Sequence, residues 1–222
     1  MSNRTRLSLQ DVQAIDRALS APRLARYVSA SGVRNKQHGI ALYAWNAAVS
    51  GAFLNPLHLC EVTIRNGVAE VLEAVYGPAW PWSAGFLRSL PGHGGISPQQ
   101  ELQRAIRGQS VTGKVVAELK FAFWNDLFTR RHDARLWNPW LRRAFPHMPG
   151  SMTPEQCRLL IFQQLSKVRK LRNRIAHHEP IFERHLEAEY QRVLSLVGWR
   201  CPRAARWVDD TQLLTGILTL RP

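Results

Sequence analysis

Cysteine is scarce in this 222-residue chain: Cys60, Cys157 and Cys201 stand alone and are odd in number. A disulfide frame or a zinc knuckle needs paired, regularly spaced thiols, so reduced thiols of a cytoplasmic protein are expected instead. Long apolar runs are missing as well. No stretch approaches the ~18 consecutive apolar residues of a membrane span, and no membrane partner is expected. Arg4 and Arg6 make the N-terminus basic, but no apolar run or small-residue cleavage site follows, so no secretory leader is expected.

Acidic residues and lysine are also in short supply. The chain has 16 Asp+Glu against 30 Lys+Arg, a formal net charge of +14, and only 5 of the cations are lysine. The remaining 25 are arginine, whose planar fork binds phosphate or carboxylate in a bidentate way that a lysine ammonium does not match. Hydrophobic residues make up 45%, enough to close a core, which excludes disorder throughout. A folded, arginine-rich chain points to a polyanion partner, nucleic acid first. Coding bias and solubility are the competing explanation.

Breakers and caps divide the chain into helices almost throughout. Ser8 caps a first helix to about Leu19, and Ala21-Pro22 breaks it. Further helices are expected over Arg23–Ser29, Gln37–Leu54 and Leu57–Tyr76, with Asn55-Pro56 interrupting the last two. Residues 77–96 hold Trp80, Trp82 and most of the glycine and proline of this region, and read as a loop with aromatic anchors. Ser97-Pro98 and Thr153-Pro154, each followed by glutamine at the box position, open two more helices. The second of these runs to about His178, because Pro180 disfavours helical geometry at Glu179. Helices over Thr112–Phe128, 132–144, Phe182–Leu196 and Arg203–Leu218 complete an all-α chain without internal repeats. Residues 1–22 form an N-terminal arm and first helix, and 23–222 one helical domain.

The end of the long helix carries the chemistry. On a helical wheel Ile161, Leu165, Val168, Leu171 and Ile175 form an apolar stripe, and Arg172 falls inside it. A guanidinium there needs a partner carboxylate or a wet cleft, since an unpaired buried charge is costly. Asn173 and His177 are i,i+4 neighbours beside the stripe and can face one point. Arginine can neutralise charge developing on a phosphate, histidine can pass a proton near neutral pH, and asparagine can orient either. RNA carries its own nucleophile in the 2′-hydroxyl, so such a site requires no metal or other cofactor.

Arg172-Asn173-Arg174-Ile175-Ala176-His177 resembles the Arg–(four to six residues)–His motif of HEPN domains, and the string from Leu171 to Phe182 is similar to the signature of bacterial Abi-like (abortive infection) proteins. Three earlier blocks agree: Tyr43-Ala44-Trp45-Asn46, Leu59 to Asn66, and Val115 to Trp124 followed by Leu136-Trp137. Ala122 departs from the glycine expected in that family, a position that touches helix packing. The resemblance covers roughly residues 24–222. It implies a HEPN-like helical bundle with additional helices, commonly a homodimer with two motifs sharing a cleft. It also implies a metal-independent endoribonuclease of phage defence or a toxin, with an antitoxin or a phage-derived trigger as further partners. Arg172 and His177 would then be the catalytic pair and Asn173 the orienting residue. A non-catalytic RNA-binding or protein-interaction HEPN module is the alternative, and a DNA-binding regulator a second.

Other residues complete the expectation. Glu61, Arg65 and Asn66 lie on the helix before Tyr76, where Glu61 either anchors Arg172 or pairs with Arg65 at i,i+4. Arg169, Arg174, His178 and Glu179 flank the catalytic trio and are expected to touch RNA or support it. His178, Glu179 and His185 lack regular ligand spacing, and no metal site is expected there. Trp45, Trp124 and Trp137 have apolar neighbours and read as core, whereas Trp80 and Trp82 are candidates for base stacking. Arg130-Arg131, Arg142-Arg143 and Arg203 with Arg206 are either phosphate contacts or a solvated face.

Overall fold

The computed structural model describes residues 7–32, 35–92 and 97–222, and these are helical without a strand among them. The chain runs α1 (Leu9–Leu19), α2 (Ala21–Ala30), α3 (Lys36–Tyr76), α4 (Ala84–Ser89), α5 (Pro98–Ala105), α6 (Thr112–Glu118), α7 (Phe121–Asp126), α8 (Asn138–Ala144), α9 (Pro154–Ala176), α10 (Leu186–Arg200), α11 (Pro202–Thr211) and α12 (Leu214–Leu218). Short 3-10 turns occupy Trp80–Trp82 and Arg130–His132, and a π-helical turn occupies Asp133–Trp137. No helix of the described residues is long and apolar enough to cross a membrane. The three cysteines are unpaired, and burial pushes the Cys60 thiol up to about 12. The basic N-terminal arm, residues 1–6, lies outside the described residues, as do residues 33–34 and 93–96 of the two expected loops.

The helix starts follow their caps. The Ser8 hydroxyl accepts from the Asp11 N–H while the Asp11 carboxylate accepts from the Ser8 N–H, and Thr153 and Gln156 make the same reciprocal box before α9. Asn35 caps α3, and Gly77, at φ 83°, ends it.

The expected interruption at Asn55-Pro56 does not occur: α3 is one helix of 41 residues with Pro56 inside it. Proline there loses one backbone bond and crowds the carbonyl four residues back, a cost of ~3 kcal/mol. The apolar stripe runs straight through it. Val49, Phe53, Leu57, Ile64, Val68 and Leu72 are all buried, at about 1.5–3 kcal/mol each. Packing therefore outweighs the local break. α2, α10 and α12 lie along this central helix, and α9 packs on it together with α7, α8 and α10. Where α2 crosses α3, a Cβ on Gly39 would stand 2.9 Å from the Val28 nitrogen, so this close approach requires glycine.

Several other boundaries differ from expectation. The stretch Thr112–Phe128 is two helices, broken at Leu119 and Lys120, where Glu101 reaches across to accept the Lys120 N–H at 2.7 Å. The break lets Leu119 and Phe121 both enter the core. The Trp80 segment is not an open loop, because its 3-10 turn and α4 fold the indole inward against Phe86 and Trp124. α10 starts at Leu186 rather than Phe182, and the last expected helix is two, α11 and α12.

Candidate functional site

α9 ends in a fully formed capping turn. His177 is the cap residue, and its N–H bonds back to the Asn173 carbonyl. His178 adopts φ 55°, its N–H bonds to the Ile175 carbonyl at 3.0 Å, and the Glu179 N–H reaches the Arg174 carbonyl at 2.7 Å. This double bond pattern is a Schellman stop in which histidine occupies the left-handed position usually given to glycine. Pro180 follows it.

Other elements lock this turn in place. The Arg174 guanidinium donates twice to the Pro180 carbonyl, at 3.2 and 2.7 Å, and pairs with Glu179 at 3.4 Å. Arg23 of α2 donates to the His178 carbonyl. The buried Oδ1 of Asn46, on α3, accepts the Ile181 and Phe182 N–H groups at 2.8 and 3.1 Å. Tyr27 packs between Tyr43 and Phe182. The segments around Asn46 and Ile181, far apart in sequence, therefore meet directly. A groove of about 580 Å³ runs beside the turn, bordered by Arg23, Tyr43, Ser50, Leu54, Ala176 and His178 among others.

Arg172, Asn173 and His177 are all exposed, and none has a hydrogen bond or ion pair through its side chain among the described residues. Of the two readings of Arg172, a partner carboxylate or a wet cleft, the first is not met: no carboxylate pairs with it among the described residues. Its azimuth is that of the stripe, and Leu171 and Ile175 on either side of it stay buried, but the polar contacts from residues 121–137 do not reach it. The polar contacts tying residues 121–137 to α9 run from Arg158, through Ser166–Asn125, to Arg169–Asp126. They stop one turn before Arg172. The guanidinium set in the core is Arg158, about four helical turns before Arg172 and one stripe position before Ile161. It makes a bidentate pair with Asp133 at 2.8 and 3.2 Å and donates to the Phe128 carbonyl at 3.4 Å. Sequence reasoning passed over Arg158, although it shares the azimuth of Leu165.

The flanking residues divide. Arg174 and Glu179 serve the turn, and Arg169 lies 4.0 Å from Asp126, whose carboxyl is raised by burial against the opposing pull of Arg169. His178 borders the groove. Glu61, Arg65 and Asn66 do not border the groove, whose α3 side stops at Leu54, about 10–18 Å before them at 1.5 Å per residue, and neither do Arg172, Asn173 and His177. Neither the Glu61–Arg65 pair nor a Glu61–Arg172 pair forms among the described residues, and the Arg65 Nε is buried without a partner.

Among the other candidates, Trp45, Trp124 and Trp137 are core as expected. Trp80, expected at the surface, is 1% exposed and is removed as a stacking candidate, whereas Trp82 remains at the surface. Trp207 on α11 is more exposed still and was missed. Arg142 is spent on the Met148, Pro149 and Met152 carbonyls, and Arg143 lies over the Trp140 ring.

Compared with protein-family models, with curated proteins and with solved structures, the chain finds no match in any of the three.

Proposed function

We propose that the end of α9 is the cleavage site of a metal-independent endoribonuclease of HEPN type, resembling the Abi-like proteins. One observation carries this: an arginine, an asparagine and a histidine, all without partners among the described residues, stand on a helix end buttressed by Arg23, Asn46 and Arg174. A backbone turn held this firmly next to unpaired polar side chains suits a ligand site rather than a need of the fold.

The reaction is attack of a 2′-oxygen on the adjacent phosphorus, with rupture of the bond from phosphorus to the 5′-oxygen. His177 takes the 2′-hydroxyl proton or gives one to the leaving 5′-oxygen, and water exchanges the other proton. Arg172 offsets the charge gathering on the non-bridging oxygens, and Asn173 orients the phosphate or the imidazole. The products are a 2′,3′-cyclic phosphate and a 5′-hydroxyl.

The spacing supports a dimeric site. Five residues on a helix turn the side chain through about 500°, so Arg172 and His177 diverge by about 140°. Two α9 ends meeting about a two-fold axis would set the Arg172 of one subunit toward the His177 of the other. A homodimer acting on RNA, restrained by an antitoxin or released by a phage-derived trigger, is the form of the protein this reading favours. The openness of this face in a single subunit is what favours the rival, a non-catalytic RNA-binding module.

Incubating wild type, Arg172→Ala and His177→Ala with RNA in EDTA tests the proposal. We expect wild type alone to cut, leaving cyclic-phosphate ends, and each variant to lose about 100-fold or more. Both side chains are exposed, so unfolding free energies should stay within about 0.5 kcal/mol of wild type. Equal cleavage by all three, or none by wild type on any RNA, overturns it.

A further inference from the structure

A second groove, of about 520 Å³, lies on another part of the surface, between the end of α3, α4 and the turns at 130–137. Arg88, Arg131 and Arg135 border it together with Tyr76 and His132, and no carboxylate among the described residues does. Arg88 and Arg135 have no intramolecular acceptor among the described residues, and Arg131 spends a single N–H on the Ser89 carbonyl at 3.3 Å. The Tyr76 hydroxyl is buried and lacks a hydrogen-bond partner, an arrangement that native proteins rarely leave unfilled. The nearest acid in sequence, Asp133, is turned inward and consumed by Arg158.

The backbone here is shaped for the purpose. The groove's lower wall is the 3-10 turn Arg130–His132 running into the π-helical turn Asp133–Trp137. Such π turns recur at functional positions, where they re-aim side chains that a regular helix would space differently. The Arg158–Asp133 pair and the stacked Phe128–Trp137 rings, 4.4 Å apart, fix the turn from below. Three like charges therefore converge on one concave site without an acid to balance them.

We infer that this groove is a phosphate-binding site, with guanidinium forks on the non-bridging oxygens and the Tyr76 hydroxyl as a further donor. Charge-assisted guanidinium–phosphate hydrogen bonds are about twice as strong as neutral ones and are frequently bidentate. The phosphate can belong to an RNA backbone or to a free nucleotide, because the recognition chemistry is shared. The site is independent of cleavage at the α9 end, so the two stand or fall separately.

The test uses the intact protein and a fluorescent 2′-O-methyl oligouridine of about twelve nucleotides, which lacks the attacking hydroxyl and cannot be cut. ATP and inorganic phosphate are titrated alongside. Arg88→Ala/Arg135→Ala is compared with wild type, with Tyr76→Phe as a milder variant and with Arg17→Ala/Lys114→Ala as a charge-matched control away from the groove. At ~0.1 M salt we expect the groove variant to lose about ten-fold in affinity. Its salt dependence should also flatten by about 0.7 per lost phosphate contact. A loss confined to the oligonucleotide identifies a backbone phosphate, and a loss for ATP and phosphate a nucleotide. No binding of any probe by wild type, equal affinities in the groove variant, or an equal drop in the control overturns the inference.

Discussion

Replacing Arg158 with methionine is the sharpest test of how this fold treats charge. The guanidinium and the Asp133 carboxylate are 11% and 12% exposed, joined by two bonds of 2.8 and 3.2 Å. Methionine fills the stem's volume but leaves Asp133 as an uncompensated buried charge. The cost of breaking such a pair from one side is about 3–5 kcal/mol. For a chain of this size 1 kcal/mol moves the melting temperature by about 2–4 °C, so a fall of about 6–20 °C is expected. Thermal unfolding measures the shift and urea unfolding the free energy, each followed by far-UV circular dichroism and by tryptophan emission, the latter because Trp137 lies in the affected turn. The paired variant Arg158→Met/Asp133→Leu removes both charges and should recover most of the loss, since apolar replacement of a buried pair is often neutral. A single variant costing less than about 1 kcal/mol, or a double variant worse than the single, would refute the view that the penalty lies in the stranded carboxylate.

Three further outcomes follow from the same physics. Asn46→Ala strands two buried N–H groups, Ile181 and Phe182, and should cost about 2–4 kcal/mol in urea unfolding while loosening the α9 turn. His178→Gly relieves a left-handed φ of 55° and should gain about 0.5–1 kcal/mol, whereas His178→Val should lose at least as much; the order is read from thermal unfolding. Burial, with Arg131 assisting, lowers the His132 imidazole to about 4. The unfolded chain takes up that proton near the ordinary value of 6.5, so this contribution is complete above pH 6.5 and is lost as pH falls toward 4. The total is about 3 kcal/mol at 1.36 kcal/mol per unit. His132→Gln should flatten stability over that window, and an unchanged pH profile would sink the assignment.

Much of the helical layout was legible because its signals are local. Ser8 with Asp11 and Thr153 with Gln156 need only their own first turn to cap a helix. The end of α9 near His178 was legible for the same reason, from Pro180. Pro56 misled because its cost is local while its compensation is tertiary: the stripe from Val49 to Leu72 is buried by elements that no window of sequence contains. The candidate site shows both sides. Arg172, Asn173 and His177 were singled out by type and spacing, yet what holds their helix end came from α2 and α3. Arg23 and Asn46 give no sequence signal beyond the Tyr43–Asn46 block that the resemblance picked out. Arg158 and Arg172 are the clearest case. They share one azimuth on α9, and periodicity cannot say that the layer of residues 121–137 covers the first and stops short of the second.

That contrast also changes what the arginine excess means. Much of it is spent inside the molecule, on carbonyls left over at helix ends and turns: Arg142 on three of them, Arg174 on Pro180, Arg200 on Ala144, Arg23 on His178. A lysine ammonium presents its donors from one point, whereas a guanidinium spreads five over a rigid plane and can close several orphan acceptors at once. The preference for arginine over lysine is thus in part a way of ending helices, and the net charge by itself says little about a partner. What points outward is the position of forks that are not spent. Among the described residues Arg172 stands free beside Asn173 and His177, and Arg88 and Arg135 stand free around a groove without an acid. A polyanion that bound only because the chain is basic would be indifferent to which arginines were removed. One that binds at these places would not be, and the charge-matched variants separate the two.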